Sequence, residues 1–394
     1  IRHSAGLGKA PTKSDPDIYD HQYSHCDVLV VGGGISGIIS AKLSAEKGLD
    51  TILIDDKSFL GGSTIYQENE CYKINSVNSN KWLANEIESL KNYPNLLIKN
   101  RTSLAAFHGY NYLLARENLT DHLSINERKG KVRQRLWKIR AKKVIIASGS
   151  IERPLIFSNN DRPGIILSSS IKKYIDYYGV KTGENISLFT NNDSVYETAI
   201  SLYKSGVKVN VIVDIRKNSD SLIVKEAIKL GLKVLWESTV VDTQGYKRIK
   251  SFEVMKLSDD GNNVVGDRSK YNCDCLGISG GWTPMVHLFT QSGGKLKFRN
   301  DDNVFIPDEN KTPSNQISVG SCNGEFKLNE IVVNTIENLK SFLSLGNSCY
   351  DGIKIICPDE KSKRNIWLLP SDKPIGKTKP FLDFQNDSTA KDVK

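Results

Sequence analysis

A short apolar run followed by three spaced glycines constrains this chain more than any other feature. Cys26-Asp-Val-Leu-Val-Val31 is rich in Val and suits a buried parallel strand. Gly32-x-Gly34-x-x-Gly37 follows directly. A helical stretch then runs from Ile38 to Lys47 and is closed by Gly48. Thr51-Ile-Leu-Ile-Asp-Asp56 reads as a second strand ending in two carboxylates, so the unit is a complete βαβ crossover. A bare GxGxxG is weak evidence, because glycines are common in turns. Here it leaves a strand and opens a helix, and Asp55 lies 18 residues beyond Gly37. That context makes it a dinucleotide fingerprint. Gly32 allows the tight turn. Gly34 lets a diphosphate approach the backbone at Ile35 and Ser36, where a helix start offers free N–H groups and partial positive charge. Gly37 lets helix and strand pack closely. The competing reading is a plain αβ turn with structural glycines.

Further positions are candidates for the same ligand. Asp55 and Asp56 compete for the ribose hydroxyls; strand alternation favours Asp55 and leaves Asp56 as a solvated end. An acid there also repels a 2′-phosphate. Gly61-Gly62-Ser63 is either a turn that approaches the ligand through Gly62 or a simple loop. Ala147-Ser148-Gly149 ends a buried strand about 115 residues after the fingerprint, where chains of this kind leave their first nucleotide domain. Gly320 closes the late strand Ile317-Ser-Val-Gly320.

The pattern of elements predicts an α/β, Rossmann-type FAD/NAD(P)-binding fold with two dinucleotide-binding domains, the second inserted in the first. Residues 1–25 read as a lead-in arm. Residues 26–150 plus 273–345 form the first domain, and 151–272 an inserted NAD(P)-binding-like domain. Residues 346–394, rich in Lys, Pro and Asp, read as a linker. Strands are expected at 132–140 and 144–149, helices at 81–92, 194–204, 221–230 and 327–344.

Several classes are disfavoured. No apolar run approaches the ~20 residues that span a bilayer. The net charge of +9 comes from dispersed lysines, so nucleic acid is not the expected partner. Seven cysteines, an odd number without recurrent spacing, argue against a secreted disulfide framework and for a cytoplasmic chain. Cys273 and Cys275 read as buried small hydrophobes, and no CxxC is present. No His/Cys/carboxylate cluster has metal spacing, and the six His fall at unrelated places. His287 is either a structural histidine or a ligand contact. Arg133-Gln-Arg-Leu-Trp-Lys-Ile-Arg140 is either a solvated sheet face or a docking surface. The second αβ series carries Asn191-Asn192-Asp193 where a nicotinamide fingerprint has glycines, and Ser321 stands where flavin reductases of this architecture usually carry Asp. Both argue against an ordinary NAD(P)H-to-flavin reductase. With no initiator Met and an abrupt end at Lys394, the sequence is expected to be a piece of a longer polypeptide.

Several stretches resemble the alpha subunit of heterotetrameric sarcosine oxidase. They are Ser4–Pro11, Arg133–Arg140, Ser148–Gly164, Phe189–Ser194, Ser279–Ser292 and Asp383–Asp392. The resemblance covers essentially the whole chain and implies the middle of that subunit, without most of a ferredoxin-like N-terminal region and a C-terminal folate-binding domain. It implies oxidative demethylation of sarcosine to glycine in a complex with beta, gamma and delta subunits. FAD would sit in the beta subunit and FMN at the interface, with oxygen as final acceptor and tetrahydrofolate taking the one-carbon unit. NAD is the cofactor expected in this chain. No catalytic residue carries over. The alternatives are a stand-alone NAD(P)H-dependent FAD oxidoreductase, the alpha subunit of a related amine, opine or proline dehydrogenase, and a binding module with a vestigial nucleotide.

Overall fold

The computed structural model describes residues 6, 11–66, 70–359 and 364–393. Along the chain lie β1 (Ile18–Val31), α1 (Ile35–Glu46), β2 (Thr51–Ile54), β3 (Leu96–Lys99), β4 (Thr102–His108), β5 (Tyr112–Asn118) and β6 (Val132–Ile146). There follow β7 (Ser150–Glu152), β8 (Ile165–Leu167), α2 (Ser168–Asp176), β9 (Ile186–Thr190), α3 (Ser194–Lys204), β10 (Val209–Asp214) and β11 (Val234–Leu235). The last labelled elements are β12 (Cys275–Ser279), β13 (Trp282–Pro284), β14 (Gln316–Ser318) and α4 (Leu328–Leu343).

The first sheet runs β3-β2-β1-β6-β5-β4, with β14 beside β6. Its centre is apolar on both faces, which is why the sequence shows continuous runs. Val28 and Val30 point into one core with Ile38, Leu53, Val332 and Ile336. Leu29 and Val31 point into the opposite core with Ile52, Ile54, Val144 and Ile146. The second sheet is parallel, in the order β8-β12-β9-β10-β11. A three-stranded antiparallel meander, Ser238–Gly245, Ile249–Leu257 and Val264–Asn272, packs on it. The antiparallel pair β7–β13 forms the crossing between the halves.

Four expectations are corrected. The strand expected at Cys26 begins at Ile18, and residues 18–25 pair in parallel with 132–140. Asp17 bonds Arg128 and Arg133, and Asp20 grips Arg135 with both oxygens, so charge pairing holds a polar strand in place. The earlier part of the arm, residues 1–5 and 7–10, lies outside the described residues. Second, the strands expected at 132–140 and 144–149 join in one, β6, which ends at Ile146; its outer half pairs antiparallel with β5 and its inner half runs parallel to β14. Third, Cys275–Ser279, expected in the first domain, is a central strand of the second sheet, between β8 and β9.

Fourth, the stretch expected as a linker packs. Tyr350 joins the first core and donates to Glu86 at 2.6 Å. Ile355–Ile356 pairs with Lys73–Ile74, and Leu369 is buried in the core of the second sheet. Scattered apolar residues in a polar segment show no periodicity, so composition hid this packing.

Candidate functional site

The loop leaving β1 is shaped by what cannot fit around it. Gly32 has φ +105°, and a Cβ there would lie 2.3 Å from the Ala147 carbonyl oxygen. A Cβ on Gly37 would lie 1.8 Å from the Gly32 carbonyl oxygen. Both glycines are therefore demanded by the packing of α1 against the sheet. Gly34 differs: its conformation is extended, and a Cβ would find nothing nearer than Gly62 Cα at 4.0 Å. The fold does not need a glycine there, so the open space above it suits a ligand approaching the backbone.

Gly34 caps α1 without a side-chain hydrogen bond, and no acidic residue lies in the first turn. The first-turn amides of Ile35, Ser36 and Gly37 thus face no carboxylate of their own helix. The Ile35 side chain points into the core, leaving its backbone as its contribution. Ser36 is buried, accepts from the Thr335 hydroxyl at 3.1 Å and lies against Gly320, where a Cβ would come within 2.2 Å of its Oγ. Gly320, with φ +70°, thus comes to the start of α1 from the far end of the sequence.

Asp55 is buried beneath the loop. Its carboxylate accepts from Gly33 N at 2.6 Å and from Lys57 N at 2.8 Å. Burial pushes the carboxyl up, against the pull of these two amides. A carboxylate has about four acceptor sites, so two remain for hydroxyls. Asp56 is exposed and pairs with Lys57 at 2.6 Å. The loop after it folds back: Gly61 N donates to the Gly33 carbonyl at 2.7 Å, and a Cβ on Gly62 would lie 2.9 Å from Gly34 Cα. Ser148 donates to the Met285 carbonyl at 2.9 Å, and Gly149 has φ +75° with open space around it. The loop thus brings together Gly32, Gly34, Gly37, Asp55 and Gly62, and separately Ser36 and Gly320.

Sequence reasoning missed Gly33, whose Cβ would lie 2.4 Å from Leu60, and Thr335. It also missed two buried atoms without a hydrogen-bond partner among the described residues, Ser318 Oγ and Glu325 Oε2. Both flank Gly320 in sequence. Orphaned buried polar atoms are rare in folded proteins. Burial raises the Glu325 carboxyl above its ordinary range.

The corresponding loop of the second sheet is filled from within. Asn192 Nδ2 donates to Ser279 Oγ at 3.0 Å and its Oδ1 accepts from Ser194 N at 3.0 Å. Asp193 and Asp214 share Arg216, each at 2.7 Å, with all three side chains buried. The Tyr196 hydroxyl donates to Asp214 at 2.8 Å. Burial pushes the Asp214 carboxyl up, whereas Arg216 is held above its ordinary range by the two carboxylates despite burial. Cys273 and Cys275 are buried, and burial lifts the Cys273 thiol to about 12. His287 begins a short helix, and among the described residues no group of three His, Cys or carboxylates could hold a metal. No helix among them is long and apolar enough to cross a membrane.

The FAD dependent oxidoreductase family matches residues 27–71, the fingerprint unit itself. The sarcosine oxidase subunit alpha of Corynebacterium sp. (strain P-1) is 32% identical over 402 residues, covering 98% of this chain and 40% of the relative. The chain is a relative of sarcosine oxidase alpha subunits along essentially its whole length. The same subunit of Rhizobium meliloti (strain 1021) is 30% identical, covering all of this chain and 38% of the relative. The chain thus spans about two fifths of these curated relatives. The thioredoxin reductase of T. acidophilum superposes with a TM-score of 0.61 at 18% identity, covering 82% of this chain and 97% of that one. The fold is therefore the Rossmann-type FAD/NAD(P)-binding fold.

Proposed function

We propose that this chain is the nucleotide-binding stretch of the alpha subunit of a sarcosine oxidase-like complex. The observation that carries the reading is the cradle above Gly34, open to a diphosphate although the fold itself has no need of a glycine there. Gly34, Ile35 and Ser36 present backbone amides to the diphosphate, and the helix dipole favours its charge. Asp55 orients the Gly33 amide and offers its remaining lone pairs to the ribose hydroxyls. Asp56, exposed and paired with Lys57, is dropped from this set.

The dinucleotide is NAD rather than a working flavin. Ser321 replaces the Asp expected to hold a ribityl chain, and no dithiol stands ready to receive electrons. Asn191, Asn192 and Asp193 fill the second loop, so a hydride donor has no seat opposite the first site. Those three features favour the subunit over a stand-alone NAD(P)H-dependent reductase. In this reading the chain binds and orients a nucleotide, and the amine is oxidised at flavin, FAD or FMN, held with the beta, gamma and delta partners. Tetrahydrofolate chemistry belongs to a further domain of the alpha subunit. The donor is sarcosine, and the setting is cytoplasmic.

The test is mass spectrometry of the ligand released on denaturing the purified complex, with absorbance recorded before and after NADH. About one NAD per chain and no bleaching by NADH supports the reading. A yellow isolated chain that NADH bleaches means a reductase instead.

A further inference from the structure

The crevice of a doubly wound sheet, outside the carboxyl ends of its strands at the point where the order reverses, is where such folds receive their ligands. In the second sheet that point lies between β12 and β9. It is occupied here by the chain itself. Asn191, immediately after β9, donates to the Arg364 carbonyl at 3.3 Å and to the Gly280 carbonyl at 3.4 Å. The Arg364 guanidinium crosses the next strand end, donating to the Ile215 carbonyl at 3.0 Å. It reaches on to the Asp259 carbonyl at 3.2 Å.

The seat is built for that side chain. Gly261 has φ +75°, and a Cβ there would lie 2.5 Å from Arg364 Nη2, so a larger residue would displace the guanidinium. The segment continues as an added strand end: Leu368 bridges Ile156 in parallel, and Leu369 N donates to the Ile156 carbonyl at 2.9 Å. Leu369 is buried in the core of the second sheet. Beyond it, Asp372 pairs with Arg268, and Lys373 reaches Asp242 at 2.5 Å.

We infer that the second crevice is a peptide site whose resident ligand is the chain's own segment 364–372, led by Arg364. The Arg364 carbonyl meets the loop after β9, which a diphosphate would approach in such folds, and its guanidinium lies on carbonyls beyond the end of the neighbouring strand β10. A site lined with carbonyls suits a cation and repels a phosphate. The second domain therefore acts as an anchor that fixes the path of the polypeptide beyond residue 372 relative to the sheet.

Hydrogen exchange on the intact chain within its purified complex tests this. Arg364→Ala removes the ligand side, and Gly261→Ala obstructs the seat without altering the segment. Each variant should raise exchange about tenfold or more, together, at 190–193, 215–217 and 364–369, because a shared opening governs all three. Exchange at 26–46 should not change. NADH stoichiometry by equilibrium dialysis should equal that of the parent. Unchanged exchange at 190–193 and 215–217 in either variant overturns the inference. So does a second bound equivalent of NADH, which would reveal a masked nucleotide site.

Discussion

Gly34→Ala and Gly37→Ala separate the needs of a ligand from the needs of the fold. At Gly34 the added methyl meets Gly62 Cα at 4.0 Å, an ordinary contact, on an extended backbone that alanine adopts freely. Restricting the unfolded chain should stabilise the variant by about 0.4–1 kcal/mol. The same methyl stands where the diphosphate would meet the helix start. Each hydrogen bond to a charged group is worth about 1.5–3 kcal/mol, so losing one or two corresponds to roughly tenfold to about 20,000-fold weaker binding. At Gly37 the methyl would sit 1.8 Å from the Gly32 carbonyl oxygen and 3.5 Å from Ala147 Cβ. Helix and strand must separate, which costs about 3 kcal/mol or more. Urea unfolding after the ligand is stripped, together with the nucleotide content of the native sample, distinguishes the two. Gly34→Ala should be stable and empty, Gly37→Ala unstable. A stable Gly34→Ala that retains a full equivalent of nucleotide would refute the assignment of the cradle.

Arg216→Ala leaves Asp193 and Asp214 buried without their shared cation; a loss of about 3–5 kcal/mol is expected in chemical denaturation, and a change under about 1 kcal/mol would contradict the pairing. Leu369→Ala tests whether the late segment belongs to the second core: with 4% of the residue exposed, the expected loss is about 2–4 kcal/mol, whereas a linker residue would cost almost nothing. Glu152 is buried, accepts from Ser169 N at 2.7 Å at the start of α2, and burial raises its carboxyl. Its folded pKa lies above the unfolded value, so its contribution is fully present below the unfolded pKa and fades as pH rises through the folded one. Glu152→Gln should therefore flatten the fall in stability above about pH 4.5, measured as urea midpoints against pH; equal slopes in parent and variant would be contrary to this.

The first βαβ unit was legible because its requirements are local. A Val-rich run, glycines at fixed offsets and a carboxylate at the next strand end specify strand, turn and helix start without distant partners. The helix at 194–204 was expected with the bounds it has, again from local pattern. Asp55 was legible as a candidate, but its hold on the Gly33 amide depends on how loop and strand end stack. Gly320 illustrates the limit: its contact with Ser36 joins residues far apart in sequence, and no spacing rule announces it.

Sequence alone thus determined the fold class, the glycine-built turn between β1 and α1 and the absence of glycines from the second loop, since each depends on backbone conformations that only certain residues permit. Tertiary structure decided which sheet received Cys275–Ser279, how the polar strand 18–25 was held, and where the segment after 346 went. Those outcomes rest on ion pairs and apolar contacts between residues a hundred or more positions apart, such as Arg135 with Asp20 and Leu369 with the second core. Such contacts form when surfaces meet, and a linear pattern carries no record of which surfaces those will be.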